Sequence, residues 1–177
     1  MALALLAMLP GCSMFSGWFG GSAAGDSRPA ATCPTAAVLR PLAQTAQFAP
    51  GWPHQPQGVA FYGVLSDVEA RCDRAGDALR VKLDVVVVGE RGPAAGTLNT
   101  VDLDYFVALT GPGQAILDKR PFRVRIVLPE AAKRAGVNDH FEETVPTGGR
   151  PPGDLSLIVG FQQAPDVVEF YRKFRGR

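Results

Sequence analysis

Apolar and polar residues alternate one by one along most of the chain beyond residue 33, and this period of two predicts β-strands with one buried face. In the clearest stretch, Leu79, Val81 and Leu83 are separated by Arg80 and Lys82. The far end of this strand, over 85–88, is apolar on both faces, which indicates that both are covered there. The same alternation places strands over 59–64, 101–109, 122–128 and 155–159, a weaker one over 38–48 and a short one over 141–145.

Segments rich in glycine and proline separate these runs, as turns between short strands require. They lie at Arg91–Pro93, Gly111–Gly113 and Pro146–Gly153. Six or seven strands with such breaks predict a mainly β fold, an antiparallel β-sandwich of the immunoglobulin or fibronectin kind.

The spacing of the residues also predicts a register for one hairpin. A four-residue loop over Gly111–Gln114 would place Leu103 opposite Phe122 on the core face and Asp102 opposite Arg123 on the solvent face. An exposed ion pair between neighbouring strands is a structural feature of a sheet and implies no chemistry.

One helix is predicted at the C-terminal end, beginning at Pro165, because proline suits a first helical turn. Apolar residues then recur at helical spacing, at Val167, Phe170, Tyr171 and Phe174. We expect this helix to lie across the sandwich or to cap one end, and a second short helical piece over Glu130–Ala135.

The N-terminus has the features of an export signal. Nine apolar residues, too few to span a bilayer, precede Leu9-Pro10-Gly11-Cys12, which resembles the lipobox of bacterial lipoproteins. We therefore expect residues 1–11 to be a truncated signal peptide and Cys12 to carry lipid. The basic segment that normally opens a signal is missing, as a misplaced start codon would explain; the alternative is an ordinary buried N-terminal helix.

Residues 12–32 are rich in Gly, Ser and Ala and predict a flexible tether between the anchor and a single sandwich domain over 33–177. Its aromatic residues, such as Trp18, would rest among lipid headgroups or pack back onto the domain. The expected location is the cell envelope, facing the periplasm. Ser13 after the anchor favours the outer membrane by analogy with known sorting signals.

Cysteine usage agrees with export. With Cys12 lipidated, Cys33 and Cys72 remain, and an oxidising compartment favours a disulfide between them. Antiparallel pairing of the segments on either side of the loop Ala49–Gln57 would bring the two together. A metal site is the competing interpretation, and two cysteines without nearby histidines make a poor one.

Charge and residue types exclude several functions. Eighteen Lys and Arg against seventeen Asp and Glu give a net charge of +1, without the basic excess of a nucleic-acid binder. His54 lies in a loop composition, and His140 with Glu143 would offer two metal ligands only on a helix. The Asp102/Asp104 pair resembles a general acid and base but fits the solvent face of a strand better. We predict no catalytic residue, no metal and no cofactor.

Short motifs through the domain resemble a group of uncharacterised envelope lipoproteins of alphaproteobacteria. The resemblance rests on Cys33-Pro34, Val38-Leu39, Cys72, Arg91-Gly-Pro93, Tyr105-Phe-Val-Ala108, Lys119, Phe122 and Val159-Gly-Phe-Gln162. It implies a lipidated, periplasm-facing domain and transfers no catalytic residue. This sequence departs from the group at Gln163-Ala164, where the resemblance leads us to expect a Leu-Thr pair.

Two functions fit these observations. The first is a non-catalytic structural or assembly role, in which a membrane-tethered sandwich docks on an envelope protein complex through an exposed sheet edge. The alternative is a binding module for an envelope saccharide or small ligand, using loop aromatics such as Trp52 and Tyr62. A flat apolar patch or open edge would favour the first, and a concave pocket with polar groups the second.

Overall fold

The computed structural model describes residues 33–174, which form eight strands and one α-helix. The signal peptide, the lipid anchor Cys12 and the tether predicted over 1–32 lie outside the described residues. The elements are β1 (Thr35–Val38), β2 (Gln44–Phe48), β3 (Val59–Ala75), β4 (Ala78–Arg91), β5 (Thr100–Thr110), β6 (Ile116–Val127), β7 (Arg134–Pro146), β8 (Ser156–Phe161) and α1 (Pro165–Phe174).

The strands form two four-stranded sheets that pack face to face, in the orders β1-β8-β5-β6 and β2-β3-β4-β7. Only β1 and β8 pair in parallel; the other neighbours are antiparallel. The predicted antiparallel β-sandwich with a C-terminal helix is confirmed. In the second sheet β2, β3 and β4 follow one another directly, an order that differs from the ABED and CFG sheets of immunoglobulin constant domains.

The alternating residues supply the core between the sheets. Every second residue of β4 from Leu79 to Val87 is at most 3% exposed, and Leu103 and Tyr105 of β5 face them from the other sheet. Because successive side chains of a strand point to opposite faces, this alternation fixes which face is buried.

The segment predicted as one strand over 38–48 is two strands in different sheets. A single turn of 3-10 helix over Arg40–Leu42 separates β1 from β2. Pro41 has no N–H group for a strand ladder, so the chain leaves one sheet there and crosses to the other. This crossing is the reason that the structure has eight strands rather than six or seven.

The prediction of a short helix over Glu130–Ala135 is wrong. The chain makes a turn in which the N–H of Ala132 donates to the carbonyl of Pro129, and β7 begins at Arg134. A six-residue segment gains little from helix formation, whereas β7 pairs with β4 along its whole length.

The predicted register of the β5–β6 hairpin is wrong by two residues. Phe122 lies opposite Tyr105, and Arg123 lies opposite Asp104. The loop takes five residues instead of four, and the pairing shifts again at Leu117, which has no partner on β5. A shift of two keeps each side chain on its predicted face, so the faces are as expected and only the partners change.

Helix α1 lies against the outer face of the second sheet, where Phe170 packs on Ala46 and Val59. The hydroxyl of Tyr171 donates a hydrogen bond of 2.9 Å to the carbonyl of Thr45 in β2. The apolar stripe read from the sequence is therefore the packed face of α1. Among residues 33–174, no helix has the length and apolar character needed to cross a membrane.

A disulfide joins Cys33 to Cys72, the two cysteines expected to pair. The hairpin expected to align them extends only over Gln44–Phe48 and Val59–Val64, after which the chain crosses between sheets. Cys33 precedes β1 of one sheet and Cys72 lies in β3 of the other, so the bond ties the two sheets together.

Candidate functional site

An apolar cleft of about 460 Å³ opens between the two sheets, along the edge strands β6 and β7. It lies at the end of the sandwich where β3 turns into β4 and β5 into β6. Its walls are mostly aliphatic and aromatic, formed by Val81, Leu83, Val107, Leu109, Leu117, Phe122, Phe141, Val145 and Leu157. Ligand pockets in proteins are typically concave, apolar and of about 300–1,000 Å³.

The topology explains why the sandwich is open here. Strands β6 and β7 are edge strands of different sheets, so they face each other without forming a ladder. Phe122 and Phe141 bridge the gap by stacking with ring centroids 4.4 Å apart, and Tyr105 stacks on the other side of Phe122. Phe122 and Phe141 of this aromatic stack line the cleft.

Charged groups surround the mouth of the cleft. Arg120 Nη1 lies 2.7 Å from Glu143 Oε2 across the gap, and Arg120 Nε lies 3.2 Å from Asp118 Oδ2. Both carboxylates raise the pKa of the Arg120 guanidinium, chiefly through the hydrogen bond to Asp118. Arg150, also at the mouth, makes no side-chain ion pair within residues 33–174. The four charges sum to zero, so the mouth as a whole is neutral.

Tyr105 makes a second polar contact between the sheets. Its hydroxyl donates a 2.8 Å hydrogen bond to Asp139 Oδ2 of β7, and the residue is fully buried. Burial raises the pKa of Tyr105, and the bond to the negatively charged Asp139 raises it further. Tyr105 is therefore neutral at physiological pH and acts here as a hydrogen-bond donor.

The two histidines lie apart from the cleft. His54 stacks on Phe48 at 4.2 Å, and its Nδ1 lies 3.3 Å from Asp166 at the start of α1. His140 Nδ1 contacts Asp84 Oδ1 on the outer face of the second sheet. Glu143 is three residues further along the same strand and faces inward, so it cannot bind a metal together with His140. Within the described part of the chain, no group of three metal-ligating side chains converges.

The Asp102/Asp104 pair lies on the solvent face of β5. Asp102 binds Arg125 and Asp104 binds Arg123, each through two hydrogen bonds of 2.6–2.9 Å. These bonds to arginine lower the pKa of both carboxyls, so neither is poised to donate a proton near neutral pH. The interpretation as surface ion pairs agrees with the structure, with different partners for each aspartate.

The aromatics considered for a ligand do not lie in the cleft. Tyr62 packs in the cluster beneath α1, and Trp52 is half exposed in the loop before β3. The alternation of apolar residues did not predict the cleft. One feature of the sequence could have indicated it: Arg120 and Glu143 fall on inward positions of their strands, where an apolar residue is expected.

Comparison of the chain with known family models, characterised proteins and solved structures found no match.

Proposed function

We propose that this protein is a non-catalytic binding module of the cell envelope that accepts an apolar group in the cleft between β6 and β7. The main support for this proposal is that the cleft combines a concave shape, apolar walls and a charged mouth. Of the two functions considered from the sequence, a concave pocket favours ligand binding over docking on a flat surface. The apolar walls favour a hydrocarbon or aromatic group over a saccharide.

The charged groups at the mouth support a binding role rather than catalysis. Asp118 and Glu143 each accept a hydrogen bond from Arg120, so both carboxylates are already engaged in contacts within the domain. Neither histidine of the described chain lines the cleft. Lipid on Cys12 would hold the module at the membrane facing the periplasm, with the outer membrane favoured by Ser13.

Titration with the neutral fluorescent probe N-phenyl-1-naphthylamine tests the proposal on the full chain. Val145 lines the cleft, whereas Val127 is a solvent-exposed valine of β6 outside it. We expect Val145→Arg to weaken probe binding by about tenfold or more, because the arginine both fills the cleft and leaves its charge desolvated when the probe binds. The matched variant Val127→Arg should bind as the unaltered protein does. Equal binding by the two variants would contradict the proposal.

Docking on an envelope protein complex remains the second candidate function. Among residues 33–174, no strand pairs with the outer edge of β6, and Ile116 at its start is 67% exposed. An extended segment of a partner could pair with this edge. A photo-crosslinking amino acid at position 116, used in native envelopes, should then capture one recurrent envelope protein. Mass spectrometry of Cys12 in the same sample tests the lipid anchor.

A further inference from the structure

We propose that the cleft is occupied by the chain's own segment Met14–Phe19 when no other ligand is bound. The proposal rests on the proposed function in one respect, namely that the cleft accepts apolar groups. It adds the identity of a resident occupant and therefore a competition between that segment and any ligand. Three observations support it: where the described chain begins, how much chain precedes it, and the chemistry of that segment.

The described chain begins beside the cleft. Cys33 is bonded to Cys72, and their Cα atoms are 5.4 Å apart. Cys72 pairs with Val81 and Val81 with Glu143, so these three residues form one row across β3, β4 and β7. Val81 and Glu143 both line the cleft. Two strand spacings span about 10 Å, so the disulfide holds the start of the domain about that far from the mouth.

The preceding chain is long enough to reach back. Thirteen residues separate Phe19 from Cys33. Rich in Gly, Ser and Ala, such a stretch has an average end-to-end distance of about 20 Å as a random coil, roughly twice the distance required. A short tether of this kind also raises the local concentration of the segment to the order of millimolar, so that modest intrinsic affinity suffices for occupancy.

The chemistry of the segment matches the site. Residues 14–19 read Met-Phe-Ser-Gly-Trp-Phe, and the chain carries no charged residue between 12 and 25. An uncharged apolar segment suits a cleft with apolar walls and a mouth whose charges sum to zero. A cation or anion inside the cleft would instead lose its hydration against the apolar walls, which is costly for a charged group. Large apolar surfaces left open to water favour aggregation, and a resident segment removes that hazard.

Fluorescence of Trp18 tests the proposal. The chain has two tryptophans, so Trp52→Phe in the full chain leaves Trp18 as the only source of indole emission. We expect blue-shifted emission and weak quenching by acrylamide. Adding Val145→Arg should shift the emission to the red and increase quenching, whereas adding Val127→Arg should change neither. Emission typical of an exposed indole, or emission unaffected by Val145→Arg, would overturn the proposal. Burial of Trp18 that requires anionic lipid vesicles would also overturn it, in favour of a membrane contact.

Probe binding separates this proposal from the function on which it rests. If the segment occupies the cleft about nine-tenths of the time, Trp18→Ser with Phe19→Ser should raise the apparent affinity for the naphthylamine probe about tenfold. Ser22→Ala with Ser27→Ala, in the neighbouring part of the chain outside Met14–Phe19, is the matched control and should leave the affinity unchanged. An unchanged affinity for the Trp18/Phe19 variant would overturn the occupancy and leave the proposed function standing. If Val145→Arg weakens probe binding in neither the unaltered chain nor the Trp18/Phe19 variant, the proposed function fails. The emission of Trp18 still tests whether the segment occupies the cleft.

Discussion

The two ends of the sandwich interior have the same alternation of apolar residues and are filled very differently. At the closed end, Gly63, Gly89 and Ala135 form a row across β3, β4 and β7. A Cβ atom added at Gly63 would lie 2.9 Å from Leu103 Cδ1, closer than carbon atoms pack. These small residues give the large side chains of the opposite sheet room to approach, such as Leu103.

At the open end, the corresponding row is Cys72, Val81 and Glu143, and the sheets enclose the cleft. Arg120 occupies an inward position of the facing edge strand and binds Glu143 across the gap. Inward-pointing charges on edge strands also protect a sheet against pairing with other chains. Alternation therefore determines which residues face inward, while the size and charge of the inward residues determine whether the space between the sheets is filled.

Truncating one leucine at each end measures this difference directly. Leu103→Ala at the closed end should lower the free energy of unfolding by about 4 kcal/mol, because the tightly packed surroundings cannot collapse into the new void. Leu109→Ala beside the cleft should cost about 2 kcal/mol, because part of its surroundings is already empty. Urea denaturation of both variants provides the comparison. Equal losses would indicate that the open end is as well packed as the closed end.

The disulfide is the covalent connection between the sheets near the open end. Replacing both Cys33 and Cys72 by alanine should destabilise the protein by about 3–4 kcal/mol, as expected for a bond closing a loop with a sequence separation of 39. The unaltered protein measured with a reducing agent should lose the same amount, and the double variant should not respond to the reductant. A small loss in both measurements would show that packing alone holds the sheets together here.

The sequence predicted the sandwich because period-two alternation is a local property that each strand carries by itself. The register of β5 and β6 depended on how one loop closed, and a bulge at Leu117 is not visible in a pattern of apolar residues. Pro41 was the available signal that the 38–48 stretch would divide, since proline is disfavoured within a ladder.

The cleft could not be predicted in the same way, because it forms between strands that are adjacent only through the packing of two sheets. Arg120 and Glu143 lie 23 positions apart on strands that never pair, and no local pattern relates them. The disulfide was predicted from cysteine counting and the expected compartment. Neither the number of cysteines nor the compartment depends on strand geometry, so the two cysteines pair as predicted even though the hairpin expected to align them is shorter.

The hydrogen bond between Tyr105 and Asp139 lies at the boundary between the two ends. Tyr105→Phe keeps the ring stacked on Phe122 and removes the hydroxyl, and we expect a loss of about 1.5–3 kcal/mol near pH 7. Because the folded state raises the pKa of Tyr105, this stability is complete below the unfolded value of about 10 and declines as the pH rises above it. Denaturation of both proteins at pH 7, 9 and 10.5 should therefore show the difference narrowing at the highest pH. A constant difference would contradict the assignment.

The ion pairs on the solvent face of β5 provide the smallest expected effect and a control for the contact between Tyr105 and Asp139. Asp104 and Arg123 are connected by two hydrogen bonds, yet their side chains are 46% and 69% exposed, so water and salt screen their attraction. Asp104→Asn should leave the free energy of unfolding at pH 7 unchanged within experimental error. Because Arg123 lowers the pKa of the Asp104 carboxyl, any contribution is present above the ordinary pKa near 4 and disappears as the pH falls below it. A loss as large as that of Tyr105→Phe would mean that the outer face of the first sheet is covered in solution, as docking of a partner there would require.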